Sequence, residues 1–335
     1  MRHRTTILFA LLGVVALALF VADIAVGSVN ISLGEVLSAL TGGGADATVR
    51  SIVVDIRLVK ALMALLAGAA LSLSGLQMQT LFRNPLAGPY VLGVSSGASF
   101  GVALFLLGAP LLGLSSNPVV AAIGTAGAAW IGAAAVLVLI IALSRRIKDI
   151  MVILILGMML SSALGALVEI LQYLSNEAAL KSFVVWTMGS LGDVTLQQIA
   201  FIAPIIIVGI LLAVLTIKPL NILLLGEQYA VTSGVNISRV RLSVFLSTTL
   251  LAGTVTAFCG PIGFVGIAVP HLARMLFSTA DHRILIPASA LLGATMLLLG
   301  DIIAKMLLLP INTVTALMGI PVVVYIVTRN RNLMQ

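Results

Sequence analysis

Runs of about 20 apolar residues recur along this chain, parted by short breaks that carry most of its charge. A run of that length is what an α-helix needs to cross the hydrocarbon core of a bilayer. With 61% hydrophobic residues and 9% charged, a water-soluble domain is excluded. The runs are continuous rather than alternating, which excludes a membrane β-barrel. The 335 residues leave room for about ten spans and no sizeable soluble domain, so residues 1–335 are expected to form one all-α transmembrane domain.

The most informative stretch is 65–97, LLAGAALSLSGLQMQTLFRNPLAGPYVLGVSSG. It begins as a Gly/Ala/Ser-rich apolar helix and stops at Arg83-Asn84-Pro85. Small residues let helix backbones approach closely where no hydrophobic force drives association. A polar break with Asn and prolines is tolerated in a membrane only at an interface or a cavity. Leu65-Leu66-Ala67-Gly68, followed by Gly75, recurs as Leu250-Leu251-Ala252-Gly253 with Gly260. Inverted repeats in transporters leave such echoes when the two copies cross in opposite directions.

The expected spans are helix one at about 7–26, two at 58–82, three at 90–107, four ending at 143 and five at 173. Helix six follows at 196–217, seven at 242–258, eight ending near 277, nine near 304, and ten at 313–328. Residues 27–56 read as a long polar connection with a flexible point at Gly42-Gly43-Gly44, and 174–194 as a polar excursion holding a short interfacial helix with Trp186. Ten crossings put both termini on one side. Of the 18 Lys and Arg, the positions on that side are 2, 4, 83, 145, 146, 148, 218, 239, 241, 274, 283, 329 and 331. Arg50, Arg57, Lys60, Lys181 and Lys305 lie opposite. This bias places both termini in the cytoplasm of a multi-pass membrane protein. Helix two then runs inward and helix seven outward, so the echo copies are antiparallel. The net charge of +7 is absorbed by these loops and implies no nucleic-acid partner.

Segment 218–241, KPLNILLLGEQYAVTSGVNISRVR, is long for a connection. Gly226, Ala230 and Gly234 are spaced as the small face of one or two short amphipathic helices. The segment is read either as a docking element for a soluble partner or as a plain loop. Arg57, Lys60 and Lys305 depart from the positive-inside pattern. They are read either as surface charges that orient an acidic partner or as snorkelling anchors at helix ends. Asp301 stands one turn from Lys305 and can pair with it. Gly93-Val94-Ser95-Ser96-Gly97 matches the serine-hydrolase pattern, but it opens an apolar helix instead of joining a strand to a helix. With no G-x-x-x-x-G-K-[ST] the chain is not itself an ATPase. No catalytic residue is indicated. Cys259 is the only cysteine and the histidines are three, so no metal site or cofactor is indicated. No acid or histidine chain runs through the midplane, which argues against a proton-coupled carrier.

Over essentially its full length the chain resembles the permease family of bacterial importers for iron-siderophore, haem and vitamin B12. The resemblance rests on Gln79 through Arg83-Asn84-Pro85-Leu86-Ala87 with Pro89 and Leu92-Gly93-Val94, then Gly260-Pro261-Ile262-Gly263-Phe264-Val265-Gly266. Val269-Pro270-His271 with Arg274, Asp281-His282-Arg283, and Pro287-Ala288-Ser289-Ala290 with Gly293-Ala294 continue it in order. It implies a ten-helix subunit with antiparallel repeats over about helices 2–5 and 7–10. It further implies a second permease subunit (a homodimer is expected), two cytoplasmic ATP-binding cassette ATPases, and an extracytoplasmic binding protein that delivers the ligand. By resemblance the docking residues are Arg57, Lys60 and Lys305, the cytoplasmic gate is Asn84, Pro85 and Leu86, and ATPase coupling falls to Gly226, Glu227, Ala230 and Gly234. Iron-siderophore or haem is the expected cargo, with vitamin B12 the alternative. The chain departs from the family at Arg57-Leu58-Val59-Lys60, which lacks the usual proline and second arginine. It departs also at Lys305, where an arginine is usual, and at Leu308–Asn312, which lacks the usual acid and glycine.

Overall fold

The structure, a computed structural model, describes residues 2–27, 29–43, 46–114, 117–147 and 149–329; Gly44, Lys148 and Arg331, invoked above, lie outside them. Among the described residues every regular element is helical, and a helix stands at each of the ten expected places. Helix one is Arg2–Ala25, two Val59–Leu81, three Val94–Leu111, four Pro118–Arg146 and five Ile150–Leu174. Helix six is Leu196–Leu215, seven Ile237–Cys259, eight Val265–Phe277, nine His282–Leu307 and ten Ile311–Arg329. By length and composition seven of them (one, three, four, five, six, seven and nine) are apolar enough to cross a membrane, while eight and ten contain shorter apolar stretches.

Helix two is the centre of the molecule: 18 of its 23 residues are buried. Its small residues are what bring the neighbours in. A Cβ on Gly68 would overlap the Gly293 carbonyl of helix nine, and one on Gly75 would overlap the Gly266 carbonyl of helix eight. Ser72 adds a bond across the same seam, its hydroxyl donating to Ser289 O at 2.7 Å. Backbone-to-backbone approach of this kind is the packing that a lipid solvent permits. A second seam of the same type joins helices three and four, where Gly97 faces Gly132 and Gly101 faces Ala128.

Named contacts at the helix ends fix the relative directions. Lys60, at the start of helix two, lies against Gly192 before helix six, and Arg83, just past its end, bonds Leu223 after helix six. Helix seven starts beyond that second segment and ends at Cys259, whose carbonyl accepts from Ser190 N–H at 2.8 Å. Helices two and seven therefore run in opposite directions. Their packing also corresponds. Gly68 of helix two abuts helix nine, and its echo Gly253 abuts Val94 of helix three and Ala133 of helix four.

Three expectations are corrected. Residues 27–56 are not a simple polar connection. Ser32 caps a helix over Leu33–Thr41 by a reciprocal bond pair with Glu35, and Val36 and Ala39 are buried under it. Residues 47–58 then wind directly into helix two through a wider turn, Ile52–Leu58. Helix seven starts at Ile237, capped by Asn236, five residues earlier than hydropathy places it. Helix three starts at Val94 and not at Tyr90, because residues 83–93 form successive turns. The interfacial helix with Trp186 is present as Glu177–Thr187.

The seam at helix two sets a stability prediction. Gly75→Ala forces helices two and eight apart and is expected to cost about 1–3 kcal/mol. Gly165→Ala, at a position with no neighbour within 4 Å, is expected to stay within about 0.5 kcal/mol. Thermal unfolding in detergent separates the two.

Candidate functional site

The motif residues converge at the Arg83 end of helix two. Arg83 sits at φ +48 and its guanidinium donates to Leu223 O at 3.1 Å. Asn84 closes the following turn by accepting the Leu86 N–H on its side-chain oxygen at 2.9 Å. His271 of helix eight is 2.7 Å from Pro85 O, so its Nε2–H donates to that carbonyl. The ring is thereby held at the turn and makes no bond to Ser95. Gln79 bridges two elements: its amide donates to Ile267 O at 3.0 Å, and its oxygen accepts from Arg274 at 2.6 Å. Thr80, His282, Asn221 and Asp281 extend the network, with Asn221 donating to Asp281 at 2.6 Å and accepting from the His282 N–H at 2.8 Å. The Arg283 N–H first, then the Asn221 amide, hold the Asp281 carboxyl below its ordinary value, so it caps helix nine as an anion.

Between helices six and seven the chain forms two short helices, Ile217–Leu223 and Glu227–Thr232. Gly226 at φ +127 and Gly234 at φ +81 make the bends at either end of the second, which is where a side chain would be strained. Ala230 is fully buried beneath it, and Glu227 pairs with Arg241 at 2.9 Å. The outer face of the segment is apolar, with Leu225 68% exposed and Tyr229 and Val231 more than half exposed. A cavity of about 520 Å³ separates this segment from the turn, lined by Gln79, Arg83, Pro85, Leu225, His271 and Arg274 among others. Of the gate candidates, Leu86 and Pro85 are exposed and Asn84 is half-buried.

The Lys60 end is built differently. Arg57 is 3% exposed, and its guanidinium donates to Ile24 O at 3.1 Å, Ala25 O at 2.7 Å and Val29 O. It satisfies the carbonyls left open where helix one ends. Gly27 is required there, since a Cβ would stand 2.7 Å from the guanidinium. Lys305 pairs with Asp301, as the spacing predicts, and equally with Asp23, both at 2.7 Å. The three side chains are 8%, 4% and 0% exposed. Arg57 and Lys305 are thus internal groups, closer to the helix-end anchors of the second reading than to free surface charges. Lys60 remains partly open, on the rim of a cavity of about 320 Å³ that it shares with Ser190, Asp301 and Lys305.

Residues 14–329 match the model of the FecCD transport family. The chain belongs to that family. Among its FecCD relatives, the hemin transport system permease HmuU of Yersinia pestis is 35% identical over 321 residues, 94% of this chain and 95% of HmuU. The molybdate import permease MolB of Haemophilus influenzae is 36% identical over 324 residues, 93% of each chain. The vitamin B12 import permease BtuC of Citrobacter koseri is 38% identical over 281 residues, 83% of each. A solved metal-chelate type ABC transporter in an inward-facing conformation superposes with a TM-score of 0.83 at 32% identity, over 97% of this chain and 99% of that one. With its apolar helices, the chain is an inner-membrane transport permease of the ABC importer type.

Sequence reasoning missed Asp23 and Asn221. Asp23 was visible as a lone acid near the end of an apolar helix, which in a membrane calls for a partner. Asn221 carried no such signal, because its role appears only when helix nine packs beside it. The buried triad sets a second prediction. Lys305→Met leaves two carboxylates unpaired and is expected to cost about 3–5 kcal/mol, read as a lower melting temperature that Lys305→Arg largely restores.

Proposed function

We propose that this chain is the membrane-spanning subunit of an ATP-driven importer for iron-siderophore or haem chelates, with vitamin B12 as the second reading. The observation that carries it is the bonded link from segment 217–234 to the 83–86 turn. Arg83 holds Leu223 O, and Asn221 holds Asp281 and His282 at the start of helix nine. A push on that segment reaches both. Its exposed Leu225, Tyr229 and Val231 offer the apolar surface that an ATPase subunit would grip. Glu227, Gly226, Ala230 and Gly234 shape this surface instead of forming its contact area.

In this reading the 83–86 turn is the cytoplasmic gate, with Asn84 fixing its shape and Pro85 and Leu86 presented outward. We take both termini as cytoplasmic from the charge bias of the loops, and helices one and ten support their lying on one side, since each has its other end near the Asp23–Lys305 cluster. The extracytoplasmic binding protein would dock on the Lys60 end. Lys60 would make the direct contact, while Arg57 and Lys305 hold the ends of helices one and nine beneath it. A second copy of the permease and two ATPase subunits complete the assembly. The haem reading is supported by the full-length match to the hemin permease, and the cobalamin reading by the match to BtuC.

The test is uptake by the reconstituted permease–ATPase complex with haemin, a ferric siderophore or cyanocobalamin. ATP-dependent accumulation of an iron ligand alone supports the first reading, and of cobalamin alone the second. Accumulation with an inactivated ATPase would show a secondary carrier instead. Tyr229→Arg with Leu225→Asp is expected to abolish uptake while leaving the melting temperature unchanged. Lys60→Glu is expected to weaken binding-protein affinity by up to about fivefold, the range of one exposed ion pair, with the effect shrinking in high salt.

A further inference from the structure

Helix eight opens on a strained residue. Phe264 has φ +65 and ψ −32, and the Val265 N–H donates across it to Gly263 O at 2.8 Å. That is a γ-turn of the positive-φ kind, rare for any residue with a side chain. The surroundings hold it there. The Gly263 N–H donates to Asn312 of helix ten at 2.9 Å, and the Ile267 and Ala268 N–H groups both turn back to Phe264 O. The aromatic side chain lies on Gly319 of helix ten, where a Cβ would overlap it. Tyr90 secures the approach to the turn, its hydroxyl donating to Ile262 O at 3.1 Å.

The other side of Phe264 faces a cavity of about 340 Å³, lined also by Leu86, Tyr90, Met158, Ser161 and Ile267. Leu86 belongs to the proposed gate turn and Met158 and Ser161 to helix five. Phe264 therefore stands between helices five and ten, directly beside the gate, in a backbone conformation that helix ten helps to hold. Strained residues of this kind gather at clamps and switches.

We propose that Phe264 is an aromatic seal in the cargo path. The proposal rests on the import reading and adds a specificity-determining residue to it. The side chain closes the space between helix five and helix ten while its turn is bound to Asn312 and packed on Gly319. Movement of helix ten frees the turn, φ relaxes toward its common region, and the ring swings away from the cavity wall. An uncharged ring selects by size and apolar contact, so the seal admits a bulky chelate by shape and not by charge.

The experiment uses the permease–ATPase complex in proteoliposomes loaded with the dye calcein, without ATP. The native complex is expected to be tight. Phe264→Ala leaks severalfold faster, Phe264→Gly leaks likewise although glycine relieves the strain, and Phe264→Leu stays near native. A tight Phe264→Ala, or a Phe264→Leu as leaky as the alanine variant, overturns the seal. Phe264→Trp, which keeps the ring and enlarges it, is expected to stay tight and to lower ATP-driven uptake several-fold. Unchanged uptake in that variant also overturns the proposal, so it remains testable if the alanine variant does not fold. Uptake of haemin, ferric siderophore and cyanocobalamin is followed in the same vesicles. Failure of native uptake with all three while the leak pattern holds removes the proposed cargoes and leaves the seal.

Discussion

Glycine against glycine at the middle of helix two sets the terms for the rest of the molecule. Gly68 on Gly293 and Gly75 on Gly266 bring three backbones together, and only then can side chains along the same helix reach partners on several others. Gln77 illustrates this. Its amide donates to Thr216 at 3.1 Å and its oxygen accepts from Ser247 at 2.9 Å, so one buried side chain joins the end of helix six to helix seven. Such a network in an apolar interior is stable only when its polar groups are matched. Close backbone approach makes the matching possible. At about 1.5 Å per residue, helix two also carries this fixed frame from one face of the membrane to the other.

The two ends of that frame differ in kind. At the Lys60 end the charges are turned inward: Arg57 closes helix one, and Lys305 is shared by Asp23 and Asp301. A buried ion cluster adds little net stability, yet losing one member is costly, so it fixes position more than it adds free energy. Helices one, two and nine are locked together there. At the Arg83 end side chains bond both to backbone carbonyls of other segments and to one another, around an open cavity and an exposed turn. The cavity beside that turn leaves room for displacement.

How much of this was legible depended on sequence distance. The apolar runs, the small-residue seam and the antiparallel echo were readable because each is written in local composition and repeated. The Asp301–Lys305 pair was readable because a single helix turn makes the two neighbours. Asp23 belongs to the same cluster but reaches it only through the packing of helix one on helix nine, which no local pattern specifies. Arg57 was left open between surface charge and helix-end anchor for a related reason. A cation at a helix mouth looks like a surface charge until the carbonyl end of another helix is placed beside it. Residues 27–56 hid a helix behind polar composition, although Ser32 and Glu35 stood at capping-box spacing. Asn84, Gln79, His271 and Arg274 were recognised as motif residues, but their mutual bonds became visible only in three dimensions.

These differences bear on how the proposed push from the ATPase side would travel. Segment 217–234 grips both the 83–86 turn and the first residues of helix nine, so neither can move without the other. Helix nine cannot slide along its axis, because Lys305 at its far end is held by Asp23 of helix one. The freedom left is rotation about the point where helices two and nine touch most closely. That point is Gly68 on Gly293, a backbone contact flanked by the small side chain of Ser72, which bonds Ser289 O. A seam that permits dense packing thus also serves as a pivot. Tilting there would open the Arg83 end widely while the Lys60 end, pinned by its charges, stays nearly still.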